Sequence, residues 1–215
     1  MELPDQIGVM TLQDVTLFPQ SMLPLFIFEP RYRKMLKDSL ESHRLFCVAK
    51  RRPGTLRDVP SEVAGLGVIR ASVGHDNGTS HLILQGLSRV RLGKTIRYKP
   101  YRVNGIEVME TPKVESDRLA TNFQQLRDVV SERLDLGVTL PSSGPEEQVV
   151  KAKDILNYLN NLEDPGQVAD MVACSLLPDG SQRQVILETV ELEKRLKYLV
   201  AFLLAEIRRI RDQVD

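Results

Sequence analysis

Gly93-Lys94-Thr95 has the ending of a phosphate-binding loop, in which Gly, four residues and Gly-Lys-Ser/Thr wrap nucleotide phosphates in backbone N–H groups. The required first glycine falls on Ser88, and Arg89-Val90-Arg91-Leu92 alternates like a strand. Nucleotide hydrolysis is therefore not expected. Ser142, Ser143 and Ser181 lie in loop-like stretches near glycine. A serine hydroxyl needs a base within hydrogen-bond reach to become a nucleophile, and no Gly-x-Ser-x-Gly elbow occurs. These serines read as loop and helix-cap residues. His43, His75 and His81 are the histidines. A two-residue Asn77-Gly78 turn would set His75 opposite Ser80 and His81 opposite Gly74, with the two rings on opposite faces. No shared metal site is expected there, and no carboxylate–histidine motif occurs at helical spacing. Cys47 and Cys174 stand far apart and read as buried, inert thiols of a protein in the reducing cytoplasm. No catalytic residue, no cofactor ligand and no metal ligand is expected.

The elements that carry these residues change character near Pro112. Stretches 7–12, 22–28, 45–50, 63–75, 80–97 and 101–109 are rich in Val, Ile and Leu and read as strands. Asp76-Asn77-Gly78-Thr79 predicts a hairpin between the fourth and fifth. One helix interrupts them, opened by Glu29-Pro30 and carrying Tyr32, Leu36 and Leu40 on one face. After Pro112, Leu119, Phe123, Leu126 and Val130 follow a helical rhythm. The stretch 141–145 reads as a loop and 146–161 as a helix. Asp164-Pro165-Gly166-Gln167 predicts a capped helix start, and Ser181 with Gln184 repeats the capping pattern. A long last helix over 192–211 carries Leu196, Leu199, Leu203, Ile207 and Ile210 in one stripe. Strands first and helices later predict an α+β chain. The expected division is a small β-barrel domain over 1–112 and an all-helical bundle over 113–215 with a long C-terminal helix, joined near 111–115. Short, turn-rich strands favour a barrel because closure removes exposed edges.

With 29 basic and 29 acidic side chains the net charge is zero, so no general pull toward nucleic acid or an anionic membrane exists. The N-terminus lacks a secretory signal, and no stretch approaches a membrane span. A local basic face remains: Arg89, Arg91, Arg97 and Lys99 share one strand parity, opposite Val90, Leu92, Ile96 and Tyr98. A solvated outer face explains it, and five Tyr, six Phe and no Trp leave few rings for base stacking. Two apolar surfaces exceed what a simple amphipathic pattern requires. Phe26 and Phe28 make 22–28 apolar on both parities, where a half-exposed strand needs one apolar face. Tyr198 and Phe202 widen the stripe of the last helix. If exposed, such patches are interaction sites.

Several segments resemble the Lon N-terminal domain family in order and spacing. They are Leu17-Phe18-Pro19 with Leu23-Pro24-Leu25-Phe26-Ile27-Phe28, Glu29-Pro30-Arg31-Tyr32, Gly65-Leu66-Gly67-Val68-Ile69, Leu82-Ile83-Leu84-Gln85-Gly86-Leu87-Ser88-Arg89, and Pro100-Tyr101. In the helical half Asp164-Pro165-Gly166-Gln167-Val168-Ala169-Asp170, Leu187-Glu188-Thr189 and Arg195-Leu196 continue the likeness. The resemblance implies a PUA-like β domain followed by a helical bundle, and recognition of protein substrates. In the full protease this region precedes an ATPase and a serine–lysine protease domain. The present sequence ends about where the long helix would lead toward the ATPase. The expected function is thus non-catalytic binding of an unfolded or flexible polypeptide client, with Phe26, Phe28, Tyr198 and Phe202 as candidate contacts. Weak self-association through the last helix is part of this reading. The alternative is an RNA-binding module that uses the basic strand face of a PUA-like domain.

Overall fold

The computed structural model describes residues 3–55, 58–112, 116–137 and 152–213. The expected loop at 141–145, with Ser142 and Ser143, and the start of the helix expected over 146–161 lie outside them. The strands are β1 (Gln6–Leu12), β2 (Met22–Ile27), β3 (Leu45–Lys50), β4 (Val63–Gly74), β5 (Ser80–Arg97) and β6 (Arg102–Met109), with α1 (Pro30–Leu40) between β2 and β3. The helices α2 (Asp117–Asp135), α3 (Ala152–Asn160), α4 (Pro165–Leu176), α5 (Gly180–Glu188) and α6 (Leu192–Arg211) follow. The class is α+β. Two compact units form, one from Met1–Glu110 with Arg183–Glu188, the other from Thr111–Gln182 with Thr189–Asp215.

In the first unit the sheet order is β2-β5-β4-β3-β1-β6, and β5 also pairs with β6. That extra pairing closes β5, β4, β3, β1 and β6 into a ring. Strand β5 is long enough to pair with β2 through its first half and with β6 through its second. Strands β1 and β3 run parallel, because β2 and α1 form the crossover that parallel strands require. Pro30 opens α1 at the first helical position, and the helix buries Tyr32, Met35 and Leu36 against Met10, Leu17, Phe46 and Leu84. Burial pushes the Tyr32 phenol above its ordinary range. Its hydroxyl donates to Thr11 O at 3.1 Å and accepts from Thr11 N at 3.1 Å.

The segment Leu17-Phe18 is fully buried and lies directly on the sheet. A Cβ on Gly65 would stand 2.0 Å from Leu17 O, and one on Gly86 would stand 1.9 Å from Phe18 O. Only glycine permits this approach. Beyond it the chain hooks onto β5: Gln20 N donates to Gly86 O at 2.8 Å and Gly86 N donates to Ser21 O at 2.9 Å. Gln20 adopts a left-handed φ of 63°. The same unit receives the end of α5, where Gln184 Nε2 donates to Val63 O at 2.9 Å. This corrects the expected capping box at Ser181. Helix α5 starts at Gly180, Asp179 Oδ1 accepts from Ser181 N at 2.6 Å, and the Gln184 amide bonds Val63 and Glu188.

The second unit is helical. Ser116 Oγ caps α2 by accepting from Leu119 N at 3.0 Å, and Asp164 caps α4 by accepting from Gly166 N at 3.0 Å. Helix α6 packs its stripe of Leu196, Leu199, Leu203 and Ile207 against α2 and α4. Arg195, 1% exposed, lies within this unit. Its guanidinium meets Asp170 at 3.3 Å, Thr111 Oγ1 at 3.1 Å, Val190 O at 3.0 Å and Thr189 O at 2.8 Å. Cys174 is exposed, contrary to expectation, whereas Cys47 is buried and its thiol pushed far up by desolvation. No described helix is long and apolar enough to cross a membrane.

Gly86→Ala must displace the Phe18 carbonyl, so unfolding in urea should show a loss of about 1–3 kcal/mol. Gly74→Ala, whose Cβ would meet nothing closer than Ser80 Oγ at 4.0 Å, should change stability by no more than about 0.5 kcal/mol. Equal effects at the two positions would contradict the packing of Leu17-Phe18 on the sheet.

Candidate functional site

Strand β2 alternates exposed and partly buried residues, with Leu23 and Leu25 turned to the core and Met22, Pro24 and Phe26 outward. Phe26 is 49% exposed and Phe28, just past the strand, 59%. Their rings stack at 5.9 Å between centroids. Phe26 also lies 4.7 Å from the ring of His81, its register partner on β5.

The hairpin brings a second histidine to this cluster, contrary to the expected register. His75 N donates to Thr79 O at 2.9 Å, and Gly74 pairs with Ser80 and Val73 with His81. The loop is therefore Asp76-Asn77-Gly78, with Gly78 at a φ of 77°. Asn77 Oδ1 holds it by accepting from Thr79 N at 3.0 Å and from Thr79 Oγ1 at 2.7 Å. One extra loop residue moves the pairing by one and turns His75 and His81 to the same face. His75 Nε2 and His81 Nδ1 are 2.8 Å apart and hydrogen-bonded. Among the described residues no group of three or more His, Cys, Asp or Glu side chains is placed to hold a metal ion.

A groove of about 380 Å³ runs beside these rings, lined by Pro24, Phe26, Ala71, Val73, His81 and Ile83 among others. Its wall carries no Lys, Arg, Asp or Glu. Val73 is itself exposed. The surface can thus accept apolar side chains but offers no charge to fix an ionic ligand.

Tyr198 and Phe202 belong to the second unit. Their rings stack at 6.4 Å on α6. Tyr198 is 40% exposed and Phe202 half-buried, which makes a smaller apolar surface.

The four basic residues do not form one face. Arg89 is 4% exposed. Its Nε donates to Leu187 O at 3.0 Å, and its guanidinium lies 6.0 Å from the centroid of Phe18. Arg91 is exposed and in register with Glu107. Register shifts between Leu92, Thr95 and Arg97 then break the parity of β5. Arg97 stacks over Tyr101 at 4.9 Å, Lys99 follows the strand, and Ile96 and Tyr98 of the opposite parity are exposed too. Gly93-Lys94-Thr95 lies within β5, with no helix after it to complete a phosphate loop.

The pattern of the ATP-dependent protease La (LON) substrate-binding domain matches residues 6–205. Lon protease of Dictyoglomus thermophilum is 22% identical over 209 residues, which is 96% of this chain and 25% of the relative. Lon protease of Desulfosudis oleivorans is 26% identical over 221 residues, 100% of this chain and 26% of the relative. The chain thus spans about a quarter of the length of these curated relatives. The solved N-terminal domain of the Mycobacterium avium complex Lon protease shares the fold, with a TM-score of 0.70 and 20% identity over 92% of this chain and 97% of that one. A Lon N-terminal domain protein from Xanthomonas campestris superposes with a TM-score of 0.63 at 20% identity, over 92% and 98%.

Burial of Arg89 has a measurable consequence. Arg89→Ala removes a charged donor from a buried carbonyl and should lower stability in urea by about 1.5–3 kcal/mol. Arg91→Ala, on the surface, should stay within about 0.5 kcal/mol. Equally small effects would return Arg89 to a solvated face.

Proposed function

Because the chain belongs to the LON substrate-binding domain family, we propose that it is a non-catalytic module that holds flexible or unfolded polypeptide on the apolar surface around Phe26 and Phe28. The carrying observation is the exposed cluster of Phe26, Phe28, Val73 and His81 beside an uncharged groove. A contiguous exposed cluster of large apolar side chains is the kind of surface that marks an interaction site. Tyr198 and Phe202 on α6 offer a second, smaller surface for a client or for weak self-association.

The zero net charge supports apolar capture over electrostatic capture. The burial of Arg89 removes the first member of the basic strand face on which RNA binding would rest. The proposed function includes neither nucleotide hydrolysis nor peptide cleavage, and the placing of Gly93-Lys94-Thr95 within β5 supports leaving out the first. A cytoplasmic setting suits such a role. Affinity for a single client segment should be weak, because a flexible chain loses conformational entropy on binding.

A labelled, reduced and carboxymethylated α-lactalbumin, which stays unfolded, supplies the test. Its affinity should hold or rise with added sulfate, and Phe26→Ala with Phe28→Ala should weaken it by about tenfold or more. Binding that collapses with salt, and that Arg91→Ala with Arg97→Ala abolishes while the phenylalanine changes do not, would overturn the proposal.

A further inference from the structure

We infer that the polypeptide is captured by strand addition, its backbone pairing with the open edge of β2 while alternate side chains lie against the outward side chains of Met22, Pro24 and Phe26. This rests on the reading of that surface as a polypeptide-binding site. Strand β2 pairs with β5 on one side only. Gly86 N donates to Ser21 O, so the odd-numbered residues of β2 turn their main chain toward β5. Pro24, opposite Ile83, has no N–H to give and fits the alternate, outward-turned set. The close approach of Phe26 to His81 agrees, because side chains stand nearest in the pairs that exchange no backbone bonds.

The outer edge therefore presents the N–H and C=O of Met22, the C=O of Pro24, and the N–H and C=O of Phe26. None of these groups has a hydrogen-bond partner among the described residues. They repeat roughly every 6.8 Å along the strand, a spacing that another extended backbone matches. A small ligand would satisfy one of them, whereas an added strand satisfies them together. The groove lies over β5 between β2 and β4, so every second side chain of such a strand would meet the exposed, apolar Met22, Pro24 and Phe26 at its rim. Backbone pairing carries no sequence requirement beyond the absence of proline. A site of this kind would accept many unfolded segments with apolar residues at alternate positions.

A second copy of the chain fits the edge less well. Two β2 strands paired antiparallel about a two-fold axis would bring their Pro24 residues together near the centre, where both donors are missing. A flexible client can shift its register past Pro24. The proline blunts self-pairing and leaves the edge open to other chains.

The test uses the full chain and a fluorescein-labelled peptide with phenylalanine at alternate positions and serine between. Two further forms carry N-methyl groups at the odd or at the even positions, with the side chains unchanged. An added strand turns only one set of N–H groups to β2. One methylated form should lose affinity by about tenfold or more and the other by no more than about twofold. Equal losses, or equal retention, overturn strand addition. If Phe26→Ala still weakens both equally retained forms, the apolar polypeptide site stands without the strand. If the unmodified peptide does not bind, both readings fall. Sedimentation that shows the free chain already dimeric, with dimerisation abolished by changes in β2, would assign the edge to a second copy instead.

Discussion

The backbone of Leu17-Phe18 rests where no side chain can stand, and the exposed surface depends on that contact. Gly65 and Gly86 leave the space, and the carbonyls of Leu17 and Phe18 fill it. Ser21 and Gln20 then fasten to Gly86, which fixes the point at which β2 starts along β5. From that point the alternation of a strand decides everything downstream. Leu23 and Leu25 turn into the core, and Phe26 meets His81 on the outside. A slip of one residue would bury Phe26 and expose Leu25. The same glycines and the same Leu-Phe pair carry the family likeness, so those residues maintain the register of the surface.

Helical motifs follow the same logic. Thr111, Asp170 and Arg195 stand far apart in sequence and meet around one buried guanidinium. A buried cation is tolerated only when its donors are satisfied. Here a carboxylate, a hydroxyl and two carbonyls surround it. Three of those partners lie where the chain enters α6 or within α4, so the ion pair ties helix start to helix start.

Much of this was legible in the residues. Periods of two and of 3.6 placed the strands and the long helix within a residue or so, and Pro30, Asp164 and Pro165 marked helix starts that the structure shows. The apolar run over 22–28 marked Phe26 and Phe28 as more than one face requires, but left open whether they pack inside or stand exposed, as the structure shows. Other features depended on contacts that sequence spacing does not carry. Asn77-Gly78 is compatible with loops of two or three residues, and the extra residue reverses which histidines meet. Arg89 alternates like a surface residue, yet Leu187, distant in sequence, supplies the carbonyl that buries it. The irregularities in β5 near Thr95 cancel the parity on which the basic face depended. Ser181 looked like a cap, but it lies inside α5 and Asp179, just before the helix, accepts its N–H.

Backbone amide hydrogen exchange, resolved to single residues, tests the central claim most directly. In the free chain the outward amides of Met22 and Phe26 lack partners and should exchange fast. On saturation with reduced, carboxymethylated α-lactalbumin these two amides should slow by about tenfold or more, with little change at Leu23 and Leu25, already bonded to β5. Saturated binding that leaves Met22 and Phe26 as fast as before, with protection confined to α6, would contradict the account.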